Sequence, residues 1–155
     1  MPDLSHVDES GAARMVDVSE KPETHRIARA VARVRMGAET RALLAQKALP
    51  KGDVLTVAKV AGILAAKKCG ELIPLCHPLP LTDVQIELTL SECGVEIETC
   101  ASCVGRTGVE MEALTAASVA ALTVYDMCKS ADRNIVIEEI RVIEKRGGRS
   151  DYVAV

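Results

Sequence analysis

The side chains of this 155-residue chain that are equipped for chemistry gather around one apolar run, Thr107 to Lys129. Glu110, Glu112, Asp126 and Lys129 interrupt it. Burying an unpaired charge is costly, so charges on so apolar a helix imply a packed interface that carries a polar site. Asp126 and Lys129 stand three residues apart and face one another on a helix. An intrahelical ion pair is the plain reading of that pair, and from spacing alone the better one. Thr107-Gly108-Val109-Glu110 matches a capping box, which assigns Glu110 to the helix start. Glu112 lies beyond that duty and is a carboxylate acceptor in want of a donor.

Further candidates lie upstream. Lys51 and Lys67 bracket a second apolar stretch. His77 precedes Pro78, which pushes it towards an extended, rigid mount suited to orienting a ligand. Cys76 beside it has the chemistry of a thiolate nucleophile, but no base is implied at a matching spacing, so weak hydrogen bonding or packing is the better reading. Cys100-Ala101-Ser102-Cys103 is a lone CxxC with no second Cys or His pair. A structural zinc site needs one, and the six cysteines read as reduced, small apolar residues.

Spacing constrains how these groups meet. Glu112 and Asp126 are about 21 Å apart along a straight helix at 1.5 Å per residue. Lys51 and Lys67 are roughly 24 Å apart by the same rise. One pocket in one subunit can hardly hold both members of either pair. A single small substrate served by all of them requires a site shared between subunits.

The elements that must carry these residues follow from hydrophobic period. Ala28, Ala30, Ala32, Val34 and Met36 alternate with Arg29, Arg33 and Arg35, so Thr24 to Met36 is a strand. Glu39 to Gln46 is a short helix closed by Leu49-Pro50. Val54 to Cys69 is a helix, with Asp53 as N-cap and Gly70 as C-cap. Its expected buried stripe is Val54, Val57, Ala58, Ala61, Leu64 and Ala65. Val84 to Leu90, the Cys93-Gly94 turn and Val95 to Thr99 form a hairpin. The long helix runs from Gly108 to about Ser130, and Ile135 to Lys145 is the last strand. Strand, helices, hairpin, helix, strand is the split βαβ pattern: an α+β, ferredoxin-like sandwich whose antiparallel sheet packs helices on one face. We expect one domain over 1–155, with an irregular segment at 1–23 and a loose tail at 147–155.

Composition narrows the function classes. The content is 48% apolar and 26% charged, which is ordinary for a globular chain. A net charge of −3 offers no footprint for nucleic acid. Tyr125 and Tyr152 are the only aromatics, so a flat heterocycle must be held by hydrogen bonds and aliphatic faces. The uncharged interior from Ala113 to Tyr125 is too short for a membrane span. The first residues have neither basic start nor apolar core, so no signal peptide is expected and residence is expected to be cytoplasmic.

Met15-Val16-Asp17-Val18-Ser19, Lys51-Gly52-Asp53-Val54, Ala65-Ala66-Lys67-Lys68, Leu72-Ile73-Pro74-Leu75-Cys76-His77-Pro78-Leu79, Thr107 to Leu122 and Tyr125-Asp126-Met127-Cys128-Lys129 stand in order. Together they resemble the MoaC-type cyclic pyranopterin monophosphate synthases of molybdenum cofactor biosynthesis, from about Leu4 to Ser150. The resemblance implies a lyase that converts 3′,8-cyclo-7,8-dihydro-GTP to cyclic pyranopterin monophosphate with release of pyrophosphate. It implies a ferredoxin-like fold and a homohexamer of three dimers with sites between subunits. By resemblance Asp126, Lys129 and Lys51 are catalytic, and Leu75, Cys76, His77, Met111, Glu112, Lys67 and Glu110 bind substrate. No protein-bound metal or cofactor is required, although Mg²⁺ could accompany the triphosphate. Arg106 and Arg149 stand where the family often has Lys, and Asp151 where it often has Gly. Arg and Lys hold phosphate differently. The rival reading is a non-catalytic guanine-nucleotide-binding module of the same fold, and a zinc hydrolase built on Cys76, His77 and Glu112 is a poorer one.

Overall fold

A computed structural model describes residues 7–154. The elements in order are β1 (Thr24–Arg35), α1 (Ala38–Ala45), α2 (Val54–Lys67), α3 (Cys69–Leu72), β2 (Leu81–Leu90), β3 (Gly94–Gly105), α4 (Glu110–Cys128), β4 (Val136–Arg146) and β5 (Tyr152–Val153). Residues 7–23 hold no helix or strand beyond an isolated Val7–Ala13 bridge. Residues 1–6 of the expected irregular segment, and Val155 of the expected tail, lie outside the described residues.

The strands form one sheet in the order β2-β3-β1-β4-β5, every neighbour antiparallel. With α2 and α4 crossing one face this is the ferredoxin-like α+β arrangement that the element order predicts. Period-two burial along β1 puts Ala28, Ala30, Ala32 and Val34 under the helices. On the opposite face Arg33 pairs with Glu96 at 2.9 Å, Arg29 with Glu98, and Arg35 with Glu138. These pairs are open to solvent, so screening leaves each with little stabilising effect and they mainly select register.

Small residues bring the layers together. Ala113, Ala116, Ala117, Ala120 and Ala121 of α4 are fully buried. Gly62 of α2 faces that row, and a Cβ there would lie 2.4 Å from Ile86 Cδ1 and 3.0 Å from the Ala116 carbonyl oxygen. No helix among the described residues is long and apolar enough to cross a membrane.

Several local expectations change in the assembled chain. Asp53 caps α2 as predicted, accepting from Thr56 N–H at 3.2 Å. Gly70 is not the C-cap. α2 ends at Lys67, Lys68 is its C-cap, and Gly70 sits inside α3. Its lack of a Cβ serves close packing, because a Cβ there would meet Pro78 Cα at 3.0 Å. Val57 and Leu64, expected inside, are exposed, while Ala58, Gly62, Ala65 and Ala66 point inward. α2 is apolar on more than one side, and contact with α4 selects the side with the smaller residues. The Thr107–Glu110 capping box does not form. Val109 occupies the N-cap without a side-chain bond, and Glu110 pairs instead with Lys145 Nζ at 2.8 Å. The CxxC lies on β3, where residues three apart point to opposite faces, so Cys103 is buried and Cys100 is on the outer face. The tail expected to be loose turns at Gly147 (φ +86°) and lays Tyr152–Val153 along β4.

Candidate active site

α4 organises the candidate residues into two groups, one at each end. At its N-terminal end a cavity of about 230 Å³ is lined by Leu75, Cys76, His77, Met111 and Glu112, with Val16, Val18, Lys21, Thr107 and Gly108. Pro74, Pro78 and Pro80 hold the 75–77 segment out of regular structure. His77 Nε2 donates to the Val16 carbonyl at 2.7 Å. That bond ties the Met15–Ser19 segment over the cavity. Asp17 folds the segment back by accepting from Ser19 N and Oγ, and Arg106 Nη1 donates to the Ser19 carbonyl at 2.7 Å.

Glu112 is only 3% exposed. Burial pushes its carboxyl above the usual range, opposed weakly by hydrogen bonds and reinforced by Glu110. Such a carboxylate is relieved by a ligand N–H donor, which replaces the water it has lost. Burial likewise raises the Cys76 thiol, and it raises Cys69 beneath it to about 11. Cys76 is therefore a thiol at neutral pH, which disfavours the nucleophile reading.

Beside this cavity, sharing Lys21, Thr107 and Gly108 with it, lies a second hollow of about 270 Å³. Lys21, Arg26, Arg106, Lys145, Arg146 and Arg149 surround it, with Glu110 as its one acid. Six cations around a hollow beside a helix N-terminus make a place for a polyanion. Just after β4 the chain turns at Gly147, where a Cβ would fall 1.9 Å from the His25 carbonyl oxygen, and Gly148 beyond it lines the hollow. Lys21, Arg26, Lys145 and Arg146 were not singled out from the sequence. The only local signal was the basic, glycine-rich Lys145–Arg149 stretch.

The C-terminal end of α4 carries the second group. Lys129 Nζ donates to Asp126 Oδ1 at 2.6 Å, and Lys51 Nζ donates to Asp126 Oδ2 at 2.8 Å and to the Asp126 carbonyl at 3.1 Å. Lys129 first, and then Lys51, pull the Asp126 carboxyl down to about 2, and Asp126 raises Lys129 in return. A carboxylate held so low is a weak base, and its arrangement suits it to aiming two ammonium groups. Lys67 joins neither group; it is exposed at the end of α2. Fourteen residues of α4 separate Glu112 from Asp126, again about 21 Å along the axis. Among the described residues no set of three or more His, Cys, Asp or Glu converges as metal ligands.

Known proteins resemble this chain closely. A relative from Thermomicrobium roseum named cyclic pyranopterin monophosphate synthase is 60% identical over 97% of this chain and 92% of its own length. One of the same name from Novosphingobium aromaticivorans is 56% identical over 97% of this chain and 96% of its own. Molybdenum cofactor biosynthesis protein 1 of Drosophila melanogaster is 53% identical over 96% of this chain, which corresponds to 27% of that longer protein. The MoaC family model matches residues 15–148, a span that holds both ends of α4 and all of the cationic hollow but Arg149 and Ser150, and the chain belongs to the MoaC family.

Proposed function

We propose that this protein is a cyclic pyranopterin monophosphate synthase, a lyase of molybdenum cofactor biosynthesis. It takes 3′,8-cyclo-7,8-dihydro-GTP to cyclic pyranopterin monophosphate and pyrophosphate. The observation that carries the reading is the pairing of a buried acceptor carboxylate with a cationic hollow at one end of α4, and a Lys–Asp–Lys cluster at the other.

Each part suits one portion of that substrate. Glu112 accepts from the guanine-derived N–H donors, and Met111 and Leu75 offer aliphatic faces in place of absent aromatics. The triphosphate lies among Lys21, Arg26, Arg106, Lys145, Arg146 and Arg149. A triphosphate becomes a cyclic monophosphate when a sugar hydroxyl attacks the α-phosphorus and pyrophosphate departs. Fixed cations stabilise the charge that grows on the departing group. Rebuilding the purine as a pterin moves several protons, and Lys51 and Lys129, aimed by Asp126, supply and accept them. The site is shared between protomers of a homo-oligomer, with a hexamer of three dimers as the assembly. One protomer's Glu112 end then works with another's Asp126 end.

The test is pyrophosphate release by the purified protein given 3′,8-cyclo-7,8-dihydro-GTP, with Asp126→Asn as comparison. Turnover by the wild type, with binding but no turnover by the variant, supports the proposal. Saturable guanine-nucleotide binding without pyrophosphate release would overturn it in favour of a binding module.

A further inference from the structure

Glu112 is the buried acid of the cavity, and among the described residues no cation offsets the rise that burial imposes on its carboxyl. The titratable groups that face it are Glu110 on its own helix, Cys69 on α3, Cys76 and His77 on the 75–77 segment, Cys103 on β3 and Lys21 on the cavity wall. Glu110 adds to the rise. The hydrogen bonds that oppose it come from the backbone of Glu112 itself and from the Cys69 thiol. Cys69 is thus the one side chain among the described residues whose hydrogen bonding favours the ionised form of Glu112.

Local structure puts the thiol there. Glu112 and Thr115 stand three residues apart on α4 and share one of its faces. Cys69 opens α3 directly after Lys68, the cap of α2. Gly70 lets α3 close against Pro78, which leaves no room for a Cβ. The thiol therefore meets both α4 side chains: Cys69 Sγ lies 3.5 Å from Thr115 Oγ1 and beside the Glu112 carboxyl. Cys69 is 1% exposed, Glu112 3% and Thr115 8%. Glu112 lines the cavity and Cys69 does not, so the thiol approaches from the core and leaves the cavity side of the carboxylate open to a ligand. Burial pushes Cys69 to about 11, so it keeps its proton, and stays a donor, wherever Glu112 titrates. Cys76 also borders the sulfur, but a carboxylate is the stronger acceptor. With that proton given to Glu112, the Thr115 hydroxyl donates to the sulfur.

We propose that Cys69 is a positioning residue for substrate recognition: its thiol, backed by the Thr115 hydroxyl, holds Glu112 as an ionised acceptor at the cavity wall. The inference rests on the reading of Glu112 as the acceptor for the N–H donors of the substrate. Without the thiol, more of Glu112 is protonated, and a protonated carboxyl turns an O–H towards those donors where they need a lone pair.

Two substitutions of similar size separate donation from packing. Cys69→Ala removes the donor, and Cys69→Ser returns an O–H donor in nearly the same volume. Carbon-detected NMR on carboxyl-labelled glutamate follows Glu112 in the free protein, with the Glu112→Gln spectrum identifying its signal. Glu112 is expected to titrate at higher pH in Cys69→Ala than in the wild type, and Cys69→Ser is expected to bring it back down. In turnover, Cys69→Ala is expected to raise KM for 3′,8-cyclo-7,8-dihydro-GTP about threefold at neutral pH, the low end for one net hydrogen bond. The change in kcat is expected to be smaller, and Cys69→Ser is expected to recover the loss. A residue that only fills space leaves a similar gap in both variants and gives both the same titration. Coincident Glu112 titrations in the wild type and Cys69→Ala, or in the two variants, overturn the inference. If Cys69→Ser fails to fold, the wild type against Cys69→Ala decides alone. The titration needs no substrate, so the expected order of titrations in a protein that releases no pyrophosphate upholds the Cys69–Glu112 link and sinks the synthase reading.

Discussion

Glu112→Gln and Asp126→Asn are each expected to abolish turnover alone and to restore it together. The two carboxylates sit about 21 Å apart on one helix, farther than one small substrate bridges. Under the proposed shared site, each functional site draws Glu112 from one protomer and Asp126 from its partner. When the two variant chains are refolded together in equal amounts, half of the pairs are mixed. Every mixed pair holds one site with both native residues and one with neither, so about a quarter of all sites are intact under two-fold symmetry. The expected activity is about 25% of wild type, against a loss of at least about a hundredfold for either variant alone. The fraction is the same in a hexamer, because each site counts only its own pair of chains. Pyrophosphate release measures recovery, and differently tagged chains verify exchange. Recovery no greater than the sum of the two variants, in mixtures shown to have exchanged, would refute the distance argument.

Other expectations concern single groups. Lys129→Ala is expected to raise the Asp126 carboxyl from about 2 towards its usual value, and further than Lys51→Ala does, because the Lys129 bond is the larger cause. Carbon-detected NMR titration reads this, and equal shifts would contradict the ranking. Glu112 holds its proton in the folded chain at pH values where the unfolded chain has released it. Stability therefore falls as pH rises from its ordinary value of 4.5 through the raised one. Glu112→Gln is expected to remove that decline, so urea denaturation at pH 5 and pH 8 should show the variant gaining on wild type at the higher pH; parallel behaviour would sink the idea. Gly62→Val is expected to cost about 1–3 kcal/mol by overpacking, since even a Cβ meets Ile86 Cδ1 and the Ala116 carbonyl. An unchanged denaturation midpoint would mean that α2 and α4 separate freely.

Legibility in the sequence followed the range of each signal. The alternation of Ala28, Ala30, Ala32 and Val34 with arginines needs only neighbouring residues, and it identified β1 and its buried face. Residue type and spacing singled out Lys51, Asp126, Lys129, Cys76 and His77, the resemblance assigned them to one site, and the fold gathers them into two clusters. Glu110 was misread because the capping box describes a helix in isolation, whereas Lys145 arrives from a strand 35 residues away. The basic hollow was legible only in its Arg106 and Lys145–Arg149 parts, for the same reason. Lys21, Arg26, Arg106 and Lys145 share no local pattern, and only strand order brings them together.

The sequence by itself determined the main strands and helices, their order and hence the ferredoxin-like class, though not the short α3 and β5. It also determined that Glu112 and Asp126 lie too far apart on one helix to share a pocket, because helix rise is a property of the backbone alone. Tertiary structure decided which side of α2 faces inward and which acids find cations. It also decided that Cys100 and Cys103 are parted by the sheet, and that Val57, Val60, Leu64 and Leu122 stay outside. Those outcomes depend on competition among contacts from distant segments. Hydrophobic period reveals that a helix side can be buried, and only packing selects what buries it.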